Sequence, residues 1–266
     1  MLGVFVQCGL LLFAALLHAP ALGSPPEPCG PLKVGVRDFP RLYERDAKGE
    51  IRGLDKDFFD ALAQRSGCTI VFQPDSQPRI WQGLRSGQLD MTNWVIQTVE
   101  RAPIVNVIPL LHVRPMAMTW RDSPVQTQAD FMADATLIAV KIRQAAYGTG
   151  YDELFEHLRE QGRLSEVADF DAALRVFSAR RVSLMVTYPW SVLDQSERWM
   201  SQVRFSDWHP GASTVQSGLA ISRRVSIADA KRLEDAVIAM QRDGSLAQIV
   251  SRHLPADLAA LVAPPR

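Results

Sequence analysis

Net charge is absent from this chain, and that removes one class of function. Lysine and arginine number 29, aspartate and glutamate 29, and the formal charge is +0 at pH 7. A balanced composition gives no electrostatic footprint for nucleic acid, and no block of like charge occurs. Histidine is scarce. His18, His112, His157, His209 and His253 do not cluster at metal-ligand spacing, so no metal site is expected. Gly-x-Ser-x-Gly, His-Glu-x-x-His and Cys-x-x-Cys are all missing, and Gly148-Thr149-Gly150 is too short for a phosphate loop. The chain therefore reads as a non-enzyme with no cofactor. Past the N-terminus no apolar window is long enough to span a bilayer.

The first 26 residues hold no Asp, Glu, Lys or Arg. Met1 to Leu17 is mostly apolar, and Ala19-x-Ala21 and Ala21-x-Gly23 are small-x-small cleavage patterns. Residues 1–23 thus read as a secretory signal peptide, which implies the periplasm. The n-region lacks a Lys or Arg, and the alternative is an uncleaved anchor. Cleavage removes Cys8 and leaves Cys29 and Cys68, an even number in an oxidising compartment. Each lies just ahead of an expected strand, and neighbouring parallel strands bring such starts together. A disulfide there would stabilise the fold by roughly 4 kcal/mol; the alternative is two buried thiols. Neither cysteine has a lipobox-like context.

Strands and helices alternate, which implies βαβ units and mainly parallel sheets. Leu32–Val36 reads as a strand and 41–53 as a turn or hairpin. A helix opens at Gly53-Leu54-Asp55, carries the i, i+4 pairs Phe58/Leu62 and Phe59/Ala63, and ends at Gly67. Thr69–Phe72 reads as a buried strand, Arg79–Ser86 as a helix, and Leu89–Thr92 as a strand with Asp90 at its end. Thr98-Val99-Glu100-Arg101 reads as the opening of another helix, with Arg101 at its N-terminus. Val113–Arg121 and Ser217–Ser222 are extended runs that bracket a second series: strand Thr136–Val140, helices Asp152–Gln161 and Ala172–Ala179, strand Ser183–Thr187 and a Pro189-led helix. Helices Ser226–Arg242 and Ser245–His253 close the chain before a loose tail. Open α/β sheets bind ligands at the carboxyl ends of their strands, which points to Arg37, Asp38 and Phe39 after the first strand and to Arg79 and Trp81 after the second.

Gly87-x-x-Asp90 followed by Thr98-x-Glu100-Arg101 resembles the signature of family 3 periplasmic solute-binding proteins, the polar amino acid type. Gly49-x-x-x-Gly53-x-Asp55 and Asp243-Gly244-Ser245-Leu246-x-x-Ile249 are similar to further motifs of that family, so the resemblance covers nearly the whole mature chain. It implies a two-lobed α/β fold of type II, each lobe a mainly parallel sheet flanked by helices, joined by two hinge strands. The expected division is 24–118 and 216–266 for one lobe and 119–215 for the other. It further implies a monomer that carries a small solute to an inner-membrane ABC permease.

In the family, the Arg of the Thr-x-Glu-Arg motif grips the ligand carboxylate, which makes Arg101 the first candidate ligand residue. The planar guanidinium fork suits a carboxylate. Trp94 reads as a pocket wall and Arg143 as a second anion contact. Two departures matter. Ile96 stands where a hydroxyl is expected, and Thr187 stands where amino acid binders carry an Asp for the α-ammonium. The pocket is therefore expected to favour organic acids over free amino acids, with Asp38 as the one residue able to supply the missing charge. The other readings are a dehydratase-like enzyme on the same scaffold, for which no general acid is placed, and a sensory or accessory module.

Overall fold

The computed structural model describes residues 28–46, 48–211 and 215–255. The expected signal segment and the tail beyond residue 255 lie outside the described residues. The chain opens with β1 (Cys29–Val36) and a hairpin, β2 (Glu44–Arg45) and β3 (Ile51–Arg52). It continues through α1 (Leu54–Ser66), β4 (Cys68–Pro74), α2 (Gln77–Ser86), β5 (Met91–Ile96) and β6 (Val105–Val113). The next series is β7 (Met116–Trp120), α3 (Gln128–Ala133), β8 (Ala139–Ile142), α4 (Thr149–Glu160), β9 (Leu164–Val167), α5 (Phe170–Ser178) and β10 (Leu184–Thr187). A 3₁₀ turn (Pro189–Val192) leads to α6 (Glu197–Met200) and β11 (Val203–Ser206). Then β12 (Val215–Ser222), α7 (Ile227–Arg242) and α8 (Ser245–His253) complete the described chain.

These strands form two sheets, with order β4-β1-β5-β12-β6 in the first and β11-β7-β10-β8-β9 in the second. In each, three parallel strands are extended by an antiparallel pair: β1 runs parallel to β4 and β5, and β8 parallel to β9 and β10. The chain leaves the first sheet at Arg114-Pro115 and returns between β11 and β12. Arg114 Nη1 meets Asp207 Oδ2 at 2.6 Å, which ties the two crossings together. Each sheet has its own helices and core, so the molecule has two lobes.

Local chemistry explains the elements that position the site. α1 buries Leu54, Phe58, Phe59 and Leu62 on one stripe, and Asp55 and Asp57 occupy its electropositive first turn. Full burial of such apolar side chains contributes roughly 1.5–3 kcal/mol each. Gly67 ends the helix in the left-handed region (φ 69°), where its N–H reaches the Ala63 carbonyl. Cys29 and Cys68 are register partners at the paired starts of β1 and β4, and they are disulfide-bonded with Cα atoms 4.4 Å apart.

Four expectations need correction. β4 is an edge strand, not a buried one, and Val71 is 42% exposed. Asp90 precedes β5 rather than ending a strand, because pairing with β1 begins at Val34 and Met91; its carboxylate accepts from the Lys33 N–H at 2.7 Å. The segment after Thr98 is a run of turns, not a helix. Pro103 lacks the N–H that a helix through Arg101 needs, and β6 begins two residues later. The Pro189-led segment makes only a 3₁₀ turn.

Gly218 supplies a direct test of sheet packing. A Cβ there would lie 2.2 Å from the Ile108 carbonyl oxygen and 2.8 Å from Val107 Cγ1 on β6. Gly218→Ala is expected to cost about 1–3 kcal/mol in urea denaturation. An unchanged midpoint would mean that β6 can shift without penalty.

Candidate functional site

The carboxyl ends of the parallel strands converge on the gap between the lobes. Arg37, Asp38 and Phe39 follow β1, Asp75 to Gln77 follow β4, and Trp94 lies on β5. From the other lobe, Ala145 to Tyr147 follow β8, Ala168 to Phe170 follow β9, and Tyr188 and Trp190 follow β10. They enclose a cavity of about 300 Å³, at the small end of the range for small-molecule sites. Beyond Arg101 a wider groove of about 1280 Å³ opens past Trp81, Lys141 and Asp152.

The lobes touch around this cavity. The Phe39 ring packs on Phe170 with centroids 4.6 Å apart and on Trp190 at 5.7 Å. Arg41 reaches Asp194 at 2.8 Å. Arg101 lines the cavity and spans the gap: Nη1 donates to the Ile96 carbonyl at 2.7 Å and Nη2 to the Gln144 carbonyl at 2.6 Å. Its guanidinium carbon sits 4.6 Å from the centroid of the Trp81 ring, a cation–π contact. Burial lowers its pKa to about 10, with Asp152 opposing the shift and the neighbouring Arg37 adding to it, so the group stays charged at neutral pH.

Arg37 is the second guanidinium of the cavity. Its Nη1 donates to Gln77 Oε1 at 2.6 Å, and burial lowers its pKa against the pull of Asp55, Tyr188 and Tyr147. Behind it lies Asp55, only 3% exposed. Asp55 Oδ1 accepts from Trp94 Nε1 at 2.5 Å and from Asn93 Nδ2 at 3.1 Å. Burial lifts the Asp55 pKa to about 6, opposed by the Trp94 hydrogen bond, by Arg37 and by the Asn93 hydrogen bond. The carboxylates on the cavity wall (Asp38, Asp75, Asp169 and Asp171) are all exposed, so they stand at its rim.

Backbone strain concentrates here. Among the described residues four non-glycines have positive φ, and three of them touch this region: Arg41 (64°), Trp94 (59°) and Gln144 (60°). The left-handed region costs a bulky residue energy that surrounding structure must offset, and such residues cluster at ligand sites.

Of the residues expected from sequence, Arg37, Asp38, Phe39, Trp94 and Arg101 line the cavity, and Trp81 lines the wider groove instead. Three line neither. Arg79 follows the buried Gln77 by two positions, which turns it to the opposite face of α2; its side chain is 74% exposed and lies 3.6 Å from Asp75. Arg143 is exposed in the turn that follows β8, while Ile142, the last residue of that strand, lines the cavity. Thr187 is buried at the end of β10, with its hydroxyl 3.0 Å from Ser191 Oγ. Tyr147, Phe170, Tyr188 and Trp190 were missed, although each stands within five residues of a strand end, which is the available signal. Among the described residues, no group of His, Cys, Asp and Glu is arranged to hold a metal ion.

The sequence profile of the bacterial extracellular solute-binding proteins, family 3, matches residues 32–256. The chain belongs to that family. Solved structures agree on the fold of this family 3 protein. The arginine-, lysine-, histidine-binding protein ArtJ from Geobacillus stearothermophilus superposes with a TM-score of 0.72 at 16% identity, over 85% of this chain and 95% of that one. The substrate-binding protein of an amino acid ABC transporter gives 0.69 at 17% identity, over 85% and 99%. A histidine kinase sensor domain similar to periplasmic binding proteins gives 0.70 at 19% identity, over 90% and 98%. No curated protein sequence matches the chain. The two-lobed type II fold is the one expected, and the role of a solute-binding protein follows from the family.

Proposed function

We propose that this family 3 protein captures a small organic anion between its lobes and delivers it, as a periplasmic monomer, to an ABC importer. One observation carries this reading. Two guanidinium groups, Arg37 and Arg101, line an aromatic cavity while its aspartates stand exposed at the rim. A buried α-ammonium would have no carboxylate partner at Thr187, and burying a charge without a partner is costly. We assign the described residues up to 114 and from 215 on to one lobe and 116–211 to the other, slightly off the expected bounds because β7 from Met116 belongs to the second sheet and β12 from Val215 to the first, with opening about the two crossings. Ligand contacts from both lobes form only in the closed state, so binding selects that state.

A thermal-shift screen tests the reading. Benzoate, phenylacetate, succinate and glutarate are expected to raise the melting temperature more than L-arginine, L-lysine or L-glutamine. At a hundred times its Kd a ligand adds about 2.7 kcal/mol. Stabilisation by the amino acids alone would sink the anion assignment.

A further inference from the structure

We infer that Arg37, rather than Arg101, anchors the ligand's anionic group, with the Tyr147 and Tyr188 hydroxyls as companion donors, and that the preferred ligand is an organic acid with a flat apolar body. This deepens the anion-binding reading and rests on it.

The two guanidinium groups differ in what already occupies them. Both terminal nitrogens of Arg101 are held by main-chain carbonyls, one in each lobe, and Trp81 covers a face of the group. An anion at Arg101 would therefore share the guanidinium with the contact that joins the lobes. Arg37 donates to one partner, the neutral amide oxygen of Gln77. Among the described residues no carboxylate lies within 4.0 Å of its nitrogens. Asp55, the carboxylate acting on it most strongly, is engaged with Trp94 and Asn93 instead. A partly buried cation without an ion partner is unfavourable, and a ligand anion in the cavity offsets that cost.

The remaining donors come from the facing lobe. Tyr147 and Tyr188 both line the cavity; among the described residues neither hydroxyl is hydrogen-bonded to another side chain, and that of Tyr147 meets the Ile142 backbone. Burial raises both pKa values, to about 12 for Tyr188, and each phenol interacts electrostatically with Arg37. They remain O–H donors at neutral pH. An anion at Arg37 is thus met by a charged fork from one lobe and two hydroxyls from the other, so its binding links the lobes. The rest of the wall suits an apolar plane. Phe39 packs between Phe170 and Trp190, and the Tyr188 and Trp190 rings stack with centroids 5.2 Å apart. A cavity of about 300 Å³ limits that body to a small one.

Calorimetry with benzoate, phenylacetate and succinate on the mature, oxidised protein and on Arg37→Gln, Arg37→Lys, Arg101→Gln and Tyr188→Phe tests this. The aromatic acids are expected to bind more tightly than succinate. Arg37→Gln should weaken the best of them about a hundredfold. Arg37→Lys keeps the charge but loses the fork, and should weaken it about tenfold or more. Arg101→Gln should cost less than Arg37→Gln, through looser closure, and Tyr188→Phe about tenfold. If Arg101→Gln abolishes binding while Arg37→Gln and Arg37→Lys stay within about threefold of wild type, the anchor assignment is overturned and anion binding stands. Tighter binding of succinate overturns the flat apolar body. No heat from any of these acids at about 10 mM, in the weak-binding range, overturns this inference and the anion reading together.

Discussion

Replacing Cys29 and Cys68 together by alanine is expected to lower the unfolding free energy by about 4 kcal/mol. The two cysteines are separated by 39 positions, and the chain-entropy account gives that value for such a loop. The bridge also has a specific task. Among the described residues β4 is an edge strand with β1 as its only sheet neighbour, and the disulfide joins the starts of that pair. Without it the half-exposed β4 is free to fray, and an unpaired edge invites association. For a domain of this size the loss corresponds to a melting temperature lower by about 10 °C. Urea denaturation of the double variant beside the oxidised wild type measures it. A difference below about 1 kcal/mol would show that sheet pairing alone holds β4.

Asp55→Asn is expected to remove a large pH dependence. An unfolded aspartate titrates near 3.9, whereas burial lifts Asp55 to about 6 in the folded protein. Between those values the folded state keeps a proton that the unfolded state has shed. The stabilising contribution of this group is therefore complete below about pH 4 and is lost as pH rises through about 6. The loss is about 3 kcal/mol at 1.36 kcal/mol per pKa unit. Asparagine keeps an oxygen for the Trp94 and Asn93 donors but has no charge to bury. Relative to the variant, the wild type should lose about 2 kcal/mol of that between pH 4 and pH 7. Urea midpoints for both proteins at pH 4, 5, 6 and 7 check this, and parallel curves would falsify the assignment of a raised Asp55 pKa.

Local patterns carried much of the fold. The pairs Phe58/Leu62 and Phe59/Ala63 marked α1, and Gly67 marked its end, because both depend on neighbours within one helical turn. Pro103, two residues past Arg101, is a local mark against a helix there. α3 was missed although Thr127 and Asp130 form a capping box, a signal visible at three-residue spacing. The exposure of β4 had no such local mark, since an apolar run looks the same at an edge as at a centre.

The site divides in the same way. The sequence by itself determined the alternation of strands and helices, an even number of cysteines past the leader, and that Arg37, Asp38 and Phe39 follow a strand end. These follow from periodicity, from count and from place in the chain, whereas Trp94 and Arg101 were singled out by the family resemblance. How each guanidinium is partnered was decided only by tertiary structure. Arg101 donates to the Gln144 carbonyl, 43 residues away in the facing lobe, and Arg37 to the neutral Gln77 amide. Arg79 was turned from the cavity by helix rotation, Arg143 stands in the turn after β8, and Thr187 is held by Ser191. A residue's type and spacing set what it is able to bind, and the groups brought beside it by the rest of the chain set what it has left to bind with.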